Sequence, residues 1–242
     1  MLQRSSTVTP RVWLSRHIPW GTLLLCTATA AVSAHAAFDI AGTWFGRVRI
    51  VDLEEYGVRL NHLLDFELWR LVTSQLVHVK QKHMLLNVLC MLLLGIGIER
   101  HIGFARLLLL WLVAGSIATL VSTRFGEPPW NLGTGASQAI MAMAGCGVSL
   151  AVSGADRTKF LLFSLAFAIF AALSLDLIYA GYPKAGHVTG LLLGALMTRA
   201  FLMTTRRCIP TDNVPGGMRS AKGPTPLEPT EHGATARVVD ID

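Results

Sequence analysis

Charge is scarce in this chain: Asp, Glu, Lys and Arg make up 15% of its 242 residues, while hydrophobic residues make up 52%. A soluble domain of this length carries more charge, so one water-facing shell around one core is excluded in favour of an integral membrane protein. Acids are the scarcer sign, 15 against 21 Lys and Arg, for a net charge of +6. No stretch alternates basic with aromatic residues, so this excess does not point to nucleic acid. It fits cationic loops facing anionic lipid and the cytoplasm. Cysteine is limited to Cys26, Cys90, Cys146 and Cys208, three of them inside apolar runs and none in a CxxC pair. That excludes a disulfide framework and a thiolate metal site. There is no H-E-x-x-H for zinc and no pair of aspartates within the apolar runs. No metal and no cofactor is expected.

What the chain has in abundance is long apolar runs. Six spans of bilayer length are predicted near 18–37, 83–100, 104–122, 137–153, 159–178 and 187–205, each a helix because hydrocarbon offers the backbone no other partner. The fold class is therefore all-α, a polytopic membrane bundle over 18–205. Residues 38–82 form a long first loop whose Trp44, Phe45, Phe66 and Trp69 suit the membrane interface. Residues 206–242 hold Pro210, Pro215, Pro224 and Pro229 with little apolar content and read as a disordered tail. Arg4, Arg11 and Arg16 precede the first span. Arg100, Arg106, Arg157, Lys159, Arg206 and Arg207 fall on that same side, whereas the short opposite loops hold Arg124 and Lys184. Both termini, 1–17 and the tail, are thus predicted cytoplasmic. The first loop weighs against this orientation, with six basic residues matched by six acids. Residues 1–36 also have the form of a signal peptide ending at Ala34-His35-Ala36, and cleavage there would leave five spans.

Three apolar segments open on a polar residue: His83, Ser137 and His187. Each follows another apolar segment, so the three share one direction and their first residues meet at one membrane face. Ionisable groups in membrane spans are functional by default, since burying them costs several kcal/mol unless compensated. Ser137 follows Gly133-Thr134-Gly135-Ala136, a tight loop leading into a helix whose free N–H groups favour an anion, as an acyl-transfer oxyanion requires. The bland alternative makes Ser137 a helix N-cap. His187 is the candidate base. Gly190 and Gly194 share its helix face and permit close approach to a neighbouring helix, which also allows a plain packing motif. His83 and Asn87, four apart, stack on one face and can donate to an oxyanion or simply bond between helices. Asp176, near the outer end of the fifth span, and Glu127, in a loop, are not obvious third members, so a Ser–His dyad is expected.

Taken together, these residues resemble the rhomboid family of intramembrane serine proteases, from about Trp69 to Gly194. Trp69-Arg70 with Thr73 looks like the family's W-R motif, and His83-x-x-x-Asn87 its H-x-x-x-N. Gly95, Glu99-Arg100 and Gly103 look like the close of the second span. Gly135-Ala136-Ser137 is similar to the first three positions of G-x-S-G, and His187, Gly190 and Gly194 to H-x-x-G-x-x-x-G. The resemblance implies a Ser137–His187 dyad with His83 and Asn87 assisting the oxyanion. It implies six helices with a short central fourth, a serine in a water-filled cavity below the membrane surface, and a fifth helix and cap loop that admit substrate. Implied partners are transmembrane protein substrates and the lipid bilayer, with no nucleic acid. The implied location is a bacterial inner membrane. Two departures stand out. Gln138 replaces the glycine after the serine, either donating to the oxyanion or crowding the substrate's path. Met141 stands where many members have an aromatic ring. The alternatives are an inactive rhomboid-like protein that binds transmembrane clients, and a small transporter, for which the expected inverted repeat is missing.

Overall fold

The computed structural model describes residues 18–46, 48–58, 67–126, 128, 131–178 and 184–207. Residues 1–17, Phe66, Glu127 and 208–242 lie outside them, and with them the predicted N-terminal extension and all of the predicted tail but Arg206 and Arg207. The chain divides into two units at Arg206–Arg207, and the helical bundle belongs to the first. Its helices are α1 (Trp20–Ala41), α2 (Arg70–Leu76), α3 (Gln81–Ile102), α4 (Phe104–Phe125), α5 (Ser137–Val152), α6 (Lys159–Ile178) and α7 (Lys184–Arg207). A 3-10 turn, Ile50–Tyr56, interrupts the first loop, and no strand occurs among the described residues. The six predicted spans correspond to α1, α3, α4, α5, α6 and α7.

Five of these, all but α5, are long and apolar enough to cross a membrane. Their outward faces carry bare apolar side chains such as Leu89, Leu112, Phe163, Leu192 and Leu196. This is a multi-pass membrane protein. The exception, α5, has 16 residues, about 24 Å at the helical rise, short of a hydrocarbon core of about 30 Å. It has no charged residue and is buried without a break from Ser137 to Gly147. A helix apolar on every side belongs at the centre of a bundle.

Missing side chains set how closely α5 and α7 approach. A Cβ at Gly145 would overlap the Leu191 carbonyl oxygen, one at Gly190 the Gln138 oxygen, and one at Gly194 the Ala142 oxygen. In lipid, where apolar burial gives helices no reason to associate, such contact supplies the packing energy. It also fixes the register of α7 on α5, and so the height of His187 against Ser137.

Two buried acids hold the opposite end. Glu99 of α3 is 1% exposed. It accepts from the Gly21 N–H at 2.9 Å, the Thr22 N–H at 2.8 Å and the Thr22 hydroxyl at 2.7 Å. The first amides of α1 lack intrahelical partners, and their positive dipole end suits a carboxylate. In the loop between α5 and α6, burial alone would raise the Asp156 carboxyl. The Thr158 N–H, Arg100 and His101 outweigh it and hold the group at about 2.

The described part of the first loop has exposed rings and a small core of its own. Trp44, Phe45 and Trp69 are exposed, as expected of interface rings, but Val48, Leu53, Val58 and Val77 close a small core under the end of α1 with Ala36 and Ala37. Arg70 ties α2 to this loop, donating to the Glu54 carbonyl at 2.9 Å and pairing with Glu67.

Candidate active site

The approach to α5 is built by backbone bonds to the first loop. The Gly133 N–H donates to the Val58 carbonyl at 2.8 Å and the Gly135 N–H to the Ser74 carbonyl at 2.9 Å. Gly135 has φ 88°, in the left-handed region that a side chain disfavours. A Cβ there would also meet the His78 ring at 3.3 Å. The chain then turns into α5 with Ala136 at the N-cap position and no side-chain cap. Ser137 is therefore a first-turn residue, and its hydroxyl does not cap the helix.

That hydroxyl faces His187 instead, with Oγ 3.0 Å from Nε2. Ser137 is 7% exposed and His187 2%. On α7 the buried stripe runs His187, Gly190, Gly194, Thr198, so the glycines that let α7 onto α5 also aim His187 at α5's first turn.

The other face of the imidazole meets an acid that the expected dyad leaves out. Asp176 holds both carboxylate oxygens 3.0 Å from His187 Nδ1. In the sequence Asp176 is placed by its depth in the span, which does not show the face it occupies. Two signals were available. The fifth span runs opposite to the sixth, so the end of one and the start of the other share a membrane face. Asp176 also continues the buried stripe of α6, after Leu161, Leu165, Ala168 and Ala172, while Leu173, Leu177 and Ile178 point outward.

Gln138, which the sequence offers as an oxyanion donor or an obstruction to substrate, is bonded within the bundle. Its side chain is 3% exposed and turns back on the serine. Oε1 accepts from the Ser137 hydroxyl at 3.1 Å, and Nε2 donates to Ser122 Oγ on α4 at 3.3 Å. One hydroxyl proton thus has two acceptors, Gln138 Oε1 and His187 Nε2. Met141 packs near Gly190 on the α5–α7 seam.

His83 and Asn87 line one cavity with Ser137, closed by Leu86, Cys90 and Ile140 and by three small α6 residues, Ala168, Ala171 and Ala172. Asn87 Nδ2 lies 3.3 Å from His83 Nε2 and 2.8 Å from Nε2 of His78, which the sequence reading missed. The tautomer of His78 follows from its neighbours. Nε2 accepts from the Ala136 N–H at 3.4 Å, so Nδ1 carries the proton, 3.2 Å from the Leu76 carbonyl and 2.9 Å from Ser33 Oγ. Burial, then neighbouring His83, push His78 down to about 3 against the upward pull of the Leu76 carbonyl, so the ring is neutral. One Asn87 N–H is therefore held by His78, and the second is directed towards His83 and the cavity. No group of residues suited to a metal ion occurs among the described residues.

The Rhomboid domain family profile matches residues 65–204. The chain is 26% identical over 177 residues to the rhomboid protease AarA of Providencia stuartii, covering 63% of each chain. It is 30% identical over 153 residues to the rhomboid protease GluP of Bacillus subtilis, covering 62% of this chain and 29% of that one. It is 27% identical over 189 residues to the rhomboid protease GlpG of an Enterobacter species, covering 77% of this chain and 66% of that one. The chain thus spans under two thirds of the first two relatives' lengths. With the profile covering more than half of the chain, and five long apolar helices beside a short buried one, this protein belongs to the rhomboid family.

Proposed function

We propose that the protein is a serine endopeptidase that hydrolyses peptide bonds of transmembrane proteins within or near the bilayer. The observation that carries this is the 3.0 Å approach of Ser137 Oγ to His187 Nε2 inside the bundle. Relatives whose names call them proteases support it. In the first step Ser137 Oγ attacks the scissile carbonyl carbon while its proton passes to His187 Nε2. The carbonyl π pair moves onto oxygen, where the Ser137 N–H at the start of α5 and the second Asn87 N–H receive it, with His83 beside them. Collapse breaks the C–N bond, and the leaving amine takes the proton from Nε2. Water, deprotonated by the same nitrogen, then hydrolyses the acyl-enzyme. Lys and Arg placement supports cytoplasmic termini, which puts this chemistry towards the opposite face.

Labelling by an alkyl fluorophosphonate in detergent tests the reading without a known substrate. Wild type should label covalently at Ser137. A folded wild-type protein that stays unlabelled would overturn the enzyme reading in favour of an inactive rhomboid-like protein. Asn87→Ala should lower the labelling rate about 10²–10³-fold, the usual loss for one oxyanion donor. An unchanged rate would leave Asn87 as a helix-packing residue only. Gln138→Ala should have the opposite sign. Removing the competing acceptor frees the hydroxyl for His187, and one neutral hydrogen bond of about 0.5–1.5 kcal/mol corresponds to a roughly 2- to 10-fold faster rate. A slower rate would show that the carboxamide supports the serine.

A further inference from the structure

We propose that Asp176 is a positioning residue for His187, so that the Ser137–His187 pair works with a third side chain that orients its base. The inference rests on the reading of Ser137 and His187 given above. Asp176 is 7% exposed at the end of a mostly apolar helix, where an uncompensated carboxylate costs several kcal/mol. Among the described residues, the hydrogen-bond partner of both its oxygens is His187 Nδ1. A carboxylate there accepts and cannot donate, so Nδ1 carries the ring proton and Nε2 presents its lone pair to Ser137 Oγ.

Two further consequences follow from the same geometry. When Nε2 takes the serine proton the ring becomes cationic, and Asp176 at 3.0 Å stabilises that charge. The proton stays on the imidazole throughout, and Asp176 neither gains nor loses one. The three side chains also come from three helices, Ser137 from α5, Asp176 from α6 and His187 from α7. The alignment of the base therefore depends on the packing of α6 as well as on the α5–α7 seam.

The test uses the full-length protein in detergent and the same fluorophosphonate, separating the maximal inactivation rate, kinact, from the reversible binding constant, KI. Asp176→Asn keeps the shape but lets an amide N–H face Nδ1, favouring the wrong tautomer. It should lower kinact by at least about 10²-fold, with about 10⁴-fold as the ceiling for such a replacement. KI should stay within about twofold, because the probe does not touch Asp176. Asp176→Glu, which keeps the carboxylate, should label at least about tenfold faster than Asp176→Asn. Rates are taken per folded protein from the monodisperse fraction. If the asparagine variant does not fold, the glutamate variant decides: folded Asp176→Glu that labels supports the proposal, and folded Asp176→Glu that is inert overturns it. Wild-type kinact in Asp176→Asn also overturns it. So does a parallel loss of kinact, KI and melting temperature that Glu does not relieve, the mark of a purely structural acid. If Ser137→Ala or His187→Ala labels like wild type, the proposed function itself fails. If both are inert and Asp176→Asn is not impaired, this inference alone fails.

Discussion

Ser137→Ala and His187→Ala are each expected to abolish both fluorophosphonate labelling and cleavage of a model transmembrane substrate. Neither change should stop membrane insertion, since each leaves the apolar length of its helix intact. The two side chains share one hydrogen bond, 3.0 Å from Oγ to Nε2, and act on one proton. Their effects should therefore not add. Removing either member of such a unit costs about as much as removing both, roughly 10⁶ in rate where it has been dissected. The double variant should be no worse than either single one. Cleavage by Ser137→Ala at more than a trace of the wild-type rate would end the assignment of the nucleophile. Additive losses would mean that the serine and histidine serve separate steps.

The second large effect concerns packing. Gly194→Val is expected to destabilise the protein by at least about 3 kcal/mol and to eliminate labelling. The new side chain would overlap backbone atoms of Ala142, including its carbonyl oxygen, in the middle of the buried α5. A flexible neighbour can yield to an added methyl group, but a hydrogen-bonded helix backbone cannot. α7 must move away, and with it His187, two helical turns nearer its start. A control on the outer face, Leu192→Val, should stay within about 0.5 kcal/mol, because Leu192 is 59% exposed and faces away from α5. Thermal melting in detergent, with labelling of the surviving folded fraction, separates the two. A stable, fully labelled Gly194→Val protein would show that α7 is not held by this seam.

The stability of the first loop bears on the site as well. Gly133 and Gly135 donate to Val58 and Ser74, and His78 reaches both Ala136 and Asn87. Residues far from α5 in the chain thus hold the loop that presents Ser137. Trp69 and Arg70 were legible as a motif, yet their part is indirect: Arg70 fastens α2 to Glu54 and Glu67, and α2 carries Ser74 to the loop.

The apolar runs alone determined the all-α class and the positions of the six spans, because a backbone in hydrocarbon has only the helix available to it. The direction of each span likewise follows from counting, and that count brought His83, Ser137 and His187 to one face. Counting gives depth, however, not azimuth. Whether two residues at one depth touch depends on how each helix is rotated and how near its neighbour comes, which long-range contacts decide. The glycines of α5 and α7 set the distance between Ser137 and His187, and the buried stripe of α6 turned Asp176 inward onto His187. Gln138 was visible as an unusual residue, but only the position of Ser122 on α4 showed which way its carboxamide turns. His78 gave no sign of its place, since it lies in no span. Its ring became part of the site only because the loop before α5 folds back over the first loop and lays the Ala136 amide against it.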